Sequence, residues 1–252
     1  MPKATQRKRH QQQELALKTW GGKRAGAGRP PKGPRSSEPH KKRESFRENE
    51  PLHINIRVEQ GVGRLRKRHM YQALREATFA VTTRDDFRIV HMSIQSNHVH
   101  FLVEAQHKTA LAKGMQAFQI SAARQINGAI GRRTGKRRTG RVFSDRYHVR
   151  VLRSPKRVRN ALAYVLNNWR RHEEHLASWT KGWAMDPFSS AIQFAGWKEM
   201  ANEIVYRKPP ATYLPLVVWL PKTWLLREGW RRHGLIGMEE VPGPLTKPRS
   251  PQ

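Results

Sequence analysis

Hydrophobic and polar residues begin to alternate near residue 52. In "PLHINIRVEQ", Ile54, Ile56 and Val58 alternate with His53, Asn55 and Arg57, the period of a strand buried on one face. Over "GRLRKRHMYQALREATFAV" the apolar residues Leu65, Met70 (or His69), Leu74 and Phe79 recur at roughly helical spacing. Alternation returns in "DFRIVHMSIQS", with Val90, Met92 and Ile94 on one side and His91, Ser93 and Gln95 on the other. After a turn at Gln95-Ser96-Asn97, "HVHFLVEA" sets Val99, Phe101 and Val103 opposite His98, His100 and the apolar Leu102. The pattern predicts a hairpin whose apolar face is covered by helices and whose more polar face carries two histidines. A long helix follows, with Leu111, Met115, Phe118, Ala122 and Ile126 as its stripe. "VFSDRYHVRVL" reads as a fourth strand. The last helix of this region opens at Ser154 as N-cap, with Pro155 in its first turn. The order β-α-β-β-α-β-α predicts an α+β fold: a ferredoxin-like split βαβ core with a four-stranded antiparallel sheet, helices on one face and one extra helix.

The flanks differ in texture. Residues 1–50 are basic, broken by Gly and Pro, and hold almost nothing to bury, so a disordered DNA-binding tail is expected there. Its Gly28-Arg29-Pro30 resembles extended arms that insert arginine into a minor groove; a merely solvated basic tail is an equal alternative. Residues 51–176 form the core, and 177–252 a Trp-rich extension that either wraps the core or stacks on bases. Packing is the stronger expectation, since tryptophan is mostly a core anchor.

Charge narrows the partner. Among 252 residues, 49 Lys and Arg face 19 Asp and Glu, a formal charge of +30. Self-repulsion of that size penalises the compact state unless a polyanion is the usual partner, so nucleic acid is expected. No apolar run of about 18 residues offers a membrane span, and the N-terminus lacks a signal-peptide core. With no cysteine, disulfides and thiolate metal sites are excluded, and a cytoplasmic, nucleoid-associated protein is expected. "RRTGKRRTGR" is not a phosphate-binding loop, because Gly135-Lys136 is followed by Arg137. No small-molecule substrate is implied.

His98 and His100, two apart on a strand, point to the same face. Three readings compete: two hydrogen-bonded histidines, a structural zinc site, or a catalytic divalent-metal site. The second is poor, since structural zinc normally takes four ligands. The third needs only two or three protein ligands and leaves positions for substrate oxygens. The last helix supplies further candidates. Beside its buried stripe of Val158, Leu162, Val165 and Trp169, Tyr164 and Asn168 lie four apart on a flanking face, with Arg157 and Arg171 further along it. A half-buried packing tyrosine is the ordinary alternative. An amide one turn from a phenol, near arginines that suit phosphate, favours chemistry.

"NHVH" followed by "ALAYVLNNWR" resembles the single-tyrosine HUH transposases, most of all those associated with repetitive extragenic palindromes. The resemblance spans about residues 50–175, with the histidine pair, helix, "GRVFSDRYH" strand and tyrosine helix in the family's order. It departs at Trp169, where the family often has proline. The family implies Mg²⁺ or Mn²⁺ held by His98, His100 and Asn168, with Tyr164 as nucleophile. It also implies single-stranded DNA marked by a hairpin, cleaved through a 5′-phosphotyrosine link. Phenolate leaves more readily than a sugar alkoxide, so a 3′-OH can reverse the step and strands are joined without ATP. Candidates for holding DNA are Arg29, Arg146, His148, Arg150, Arg157, Arg171 and the Trp-rich end. The main alternative is a domesticated, non-catalytic DNA- or RNA-binding protein on the same fold. A relaxase or replication initiator would need more chain, and a two-metal nuclease more carboxylates. Monomer and homodimer both stay open.

Overall fold

The computed structural model describes residues 43–178, 180–201 and 212–243. Strands β1 (Leu52–Arg57), β2 (Phe87–Ile94), β3 (His98–Ala105) and β4 (His148–Val151) form one sheet in the order β2-β3-β1-β4, every neighbouring pair antiparallel. This is the split βαβ order: the crossover from β1 to β2 leaves a gap that β3 fills. The register sets His53 opposite Leu102 and Arg150, and Asn55 opposite His100 and His148. Paired residues project from the same face, so His53, Asn55, His100, His148 and Arg150 share one.

The opposite face is the main core. Ile54, Ile56, Met92, Val99, Phe101 and Val103 are buried beneath α1 (Arg68–Thr78) and α2 (Lys108–Thr134). All five residues of the expected α2 stripe are buried, and the Phe118 ring meets Phe101 edge-on at 5.0 Å. Helix α2 starts where His107 Nδ1 accepts from the Ala110 N–H at 3.1 Å, and it ends at Gly135, whose φ of 69° a side chain would disfavour.

Helix α3 (Pro155–Arg171) crosses the polar face. Ser154 caps it by accepting from the Arg157 N–H, as its sequence predicts. A second core forms here from Val90, Leu102 and the α3 residues Val158, Leu162 and Val165, closed from outside by Trp197 and Trp230. Short helices α4 (Lys198–Ala201) and α5 (Trp224–Arg227) belong to this covering.

Three local expectations change. A β-bulge between Ile89 and His91 shifts the register, so Val90 joins the second core instead of siding with Met92 and Ile94. Helix α1 stops at Thr78, leaving Phe79 45% exposed with the Arg75 guanidinium over its ring. The fourth strand covers only Val151 and the three residues before it, because the preceding segment makes a single bridge, Phe143 to Val58.

The chain engages the core from Arg43, whose guanidinium stacks on Tyr147 at 3.9 Å, while Phe46 packs on the main core. Arg29 lies outside the described residues. Beyond residue 177, Leu216 enters the main core, and the Trp219 N–H donates to the Ile89 carbonyl at 2.8 Å along the edge of β2. The tryptophans divide: Trp197 and Trp230 are fully buried, Trp183 is half-buried, and Trp219 and Trp224 are exposed. Among the described residues no helix is long and apolar enough to cross a membrane.

Candidate active site

The alternation of β1 and β3 that buries Ile54 and Phe101 turns His53, His98 and His100 toward α3. Tyr164 projects from α3 onto them. Its ring stands edge-on to His100, centroids 5.1 Å apart, and to His53 at 5.7 Å. The nucleophile and histidine pair expected from the sequence are therefore brought together, although 64 positions separate His100 from Tyr164.

The imidazoles form a chain of contacts. His98 Nδ1 lies 2.8 Å from Asn97 Oδ1, an atom that can only accept, so the His98 proton sits on Nδ1 and the Nε2 lone pair faces inward. His98 Nε2 meets His100 Nε2 at 3.0 Å, and His100 Nδ1 meets His53 Nε2 at 3.2 Å. Two arrangements satisfy this chain. In one, His53 donates to His100, which donates to His98. In the other, His100 donates backwards to His53, and both inward-facing Nε2 atoms present lone pairs to a cation. Burial, the main cause, pulls the pKa of His98 down to about 4 and that of His100 to about 2. The neighbouring His53, also lowered to about 4, adds to the effect on His100, so these rings are neutral near pH 7, as ligation requires.

Asn168, one helical turn past Tyr164, is fully buried, yet neither Oδ1 nor Nδ2 has a hydrogen-bond partner among the described residues. Burying an unpaired amide costs on the order of 1–3 kcal/mol, so such a group calls for a partner. Asn55 Oδ1 is orphaned in the same way on the same sheet face. Among the described residues no group of three or more His, Asp or Glu side chains is arranged to hold a metal. A divalent ion would have to combine the two imidazoles with a neutral oxygen, and the orphaned amide of Asn168 fits that need.

The basic candidates spread outward. His148 and Arg150 are exposed on β4, the sheet edge, and both lie close enough to His53 to depress its pKa. Arg146 is exposed just before β4, and Arg157 is exposed in the first turns of α3. Arg171 is partly committed, donating to the Pro242 carbonyl at 2.9 Å. His53, Asn55 and His172, whose ring lies 6.3 Å from that of His98, are the site residues that sequence reasoning passed over. The signal for the first two was present: they occupy the polar positions of β1. What was missing was the register of β1 against β3, which sets Asn55 opposite His100 and brings His53 Nε2 to His100 Nδ1.

Residues 50–168 match the family model described as IS200-like transposase, a span containing all four proposed site residues and ending on Asn168. No curated protein matches the sequence. Among solved structures, a REP-associated tyrosine transposase bound to a REP hairpin aligns with 73% of this chain and 100% of its own, at 15% identity and a TM-score of 0.48. A protein of Deinococcus radiodurans R1, provisionally assigned as a transposase, aligns with 55% of this chain and 96% of its own, at 13% identity and a TM-score of 0.34. A bacterial tRNA(His) guanylyltransferase-like protein in complex with GTP aligns with 54% and 71%, at 12% identity and a TM-score of 0.38.

Proposed function

We propose that this chain, whose residues 50–168 match the IS200-like transposase model, cleaves and rejoins single-stranded DNA at hairpin-marked sites through a covalent link to Tyr164. The observation that carries the reading is the Tyr164 ring lying edge-on to His100, whose Nε2 meets that of His98, while the orphaned amide of Asn168 lies one helical turn past Tyr164 on α3.

His98, His100 and Asn168 would hold Mg²⁺ or Mn²⁺. When bound, such an ion neutralises and polarises the scissile phosphate. Tyr164 supplies the nucleophile: its Oη forms a bond to phosphorus, the bond to the 3′ oxygen breaks, and a 5′-phosphotyrosine and a free 3′-OH result. Attack by another 3′-OH reverses the step and releases the phenolate. His53, by accepting from His100 Nδ1, keeps the His100 Nε2 lone pair turned inward. His148 and Arg150 extend the site to the open edge of β4 and suit the backbone phosphates of the incoming strand. The half-buried packing of Tyr164 against the second core holds the phenol in position before substrate arrives.

The test is a cleavage assay on labelled hairpin DNA with single-stranded flanks, taken from around the gene. Wild type, Tyr164→Phe and His98→Ala are compared with Mg²⁺, with Mn²⁺ and with EDTA. A covalent adduct that needs metal and disappears in both variants is expected. Equal binding by all three proteins with no adduct would leave a DNA-binding protein with an idle site.

A further inference from the structure

One large cavity lies apart from the tyrosine site. It measures about 660 Å³, within the roughly 300–1,000 Å³ of ordinary ligand sites. We propose that it takes an unstacked base of the single strand flanking the cleavage point, an inference that rests on the single-stranded DNA reading above.

The described walls are aromatic, their rings in successive edge-to-face or tilted contact. Phe188 meets Tyr71 with centroids 5.5 Å apart, Tyr71 lies 5.9 Å from Tyr213, and Tyr213 meets Trp183 at 5.4 Å. The wall is braced in place. The Tyr213 hydroxyl donates to the Pro187 carbonyl at 2.9 Å, and the Tyr71 hydroxyl lies 2.8 Å from the Leu214 carbonyl and 3.0 Å from Tyr213 Oη. Behind Phe188, the buried Arg66 guanidinium stacks at 4.8 Å and pairs through two nitrogens with Asp186. Braced aromatic faces bind bases of any sequence, because every base has a π-face.

The rim supplies the charge. Arg64, Lys67 and Arg68 line the cavity and are exposed, while no carboxylate is among its described lining residues. An apolar peptide would gain nothing from that rim, whereas a nucleotide offers a flat ring for the wall and a phosphate for the cations. Position favours the same strand that Tyr164 would attack. The Leu65 N–H donates to the Ser96 carbonyl at 2.8 Å, and Arg66 donates to the Ile94 carbonyl at 2.9 Å. The cavity's cationic segment is thus tied to the β2–β3 turn, the far side of which begins with His98. Glu174, three residues past α3, pairs with Arg64 and reaches Arg66, linking the rim to the end of the tyrosine helix.

Trp183 and Tyr213 lie outside the span shared with the transposase family. The extension therefore supplies the Trp183, Phe188 and Tyr213 walls of the cavity, and the half-buried Trp183 serves stacking where Trp197 and Trp230 serve packing.

An abasic scan tests the idea with the full-length protein. Binding is measured for the flanked hairpin with a single abasic nucleotide moved along each flank, against wild type and Trp183→Ala. One abasic position is expected to weaken wild-type binding roughly tenfold to a hundredfold. Trp183→Ala should weaken the intact DNA similarly and erase the effect of that position, and 2-aminopurine placed there should be quenched by wild type only. A flat scan with wild type, or an unchanged positional dependence in folded Trp183→Ala, overturns the proposal. If circular dichroism shows the variant unfolded, the wild-type scan and the 2-aminopurine signal decide. Adduct formation is followed in the same tubes: a flat scan with adduct present rejects the base site alone, and a positional effect without adduct rejects the strand transferase alone.

Discussion

His53 shows what a single residue contributes beyond its own type. Its Nε2 contacts His100 Nδ1, so it decides which nitrogen of His100 carries the proton, and hence whether the inward lone pair is available. His53→Ala is expected to weaken Mn²⁺ binding about 10- to 100-fold, measured by calorimetry, with little change in the far-UV spectrum. The depressed histidine pKa values carry a second expectation. As pH falls through 6.5, the ordinary value, His98 stays neutral down to about 4, so Mn²⁺ affinity should hold level where free imidazole would already be losing the metal to protons. The sign for stability runs the other way. His91 is buried with its pKa pulled down to about 4, and its Nδ1 lies 3.1 Å from Ser190 Oγ. Between about 6.5 and 4 the unfolded chain binds protons that the native chain refuses. Stability is therefore full above about pH 6.5 and declines as pH falls toward 4, which thermal melts across that window would read.

At the scale of elements, local periodicity carried most of the information. The α2 stripe and the Ser154 cap of α3 are as the pattern predicts, because both depend on neighbours within a few positions. Val90 and Phe79 depart from their patterns for reasons no periodicity contains: a one-residue bulge in the pairing of β2 with β3, and a helix that tightens into a 3₁₀ turn after Thr78. Packing adds its own constraint where α2 crosses β2. A Cβ built on Gly114 would lie 2.3 Å from Cγ of Phe87, itself buried. Gly114→Ala is expected to lose about 1–3 kcal/mol through overpacking, despite the better helix propensity of alanine, and urea unfolding would measure it.

The whole molecule is where the Trp-rich extension acquires its meaning. From Ala161 to Trp169 every residue of α3 except the half-buried Tyr164 is buried: the sheet covers the face of Leu162 and Val165, and the segments bearing Trp197, Trp230 and Ile236 close over the remainder. Asn167 is buried too, its amide donating to the Gly237 carbonyl at 2.9 Å. The extension therefore clamps the helix that carries Tyr164. Trp230→Ala should cost about 3–5 kcal/mol in chemical denaturation, a loss that a separate, loosely attached module would not transmit to the core.

The alternation in β1, β2 and β3, the helical stripes, the positive charge, the His-x-His spacing and the Tyr164–Asn168 step are all short-range or compositional, and the sequence by itself determined them. Long-range pairing decided the rest. Only the register of β1 on β3 and the packing of their side chains bring His53 Nε2 to His100 Nδ1. Only tertiary packing turns Asn168 from a helix-flank amide into a fully buried group with no hydrogen-bond partner among the described residues. Tertiary packing alone brings Trp183, Phe188 and Tyr213 beside Tyr71 of α1 to wall a cavity. Such contacts join residues tens to hundreds of positions apart, and their energy belongs to surfaces that exist only once the chain has folded.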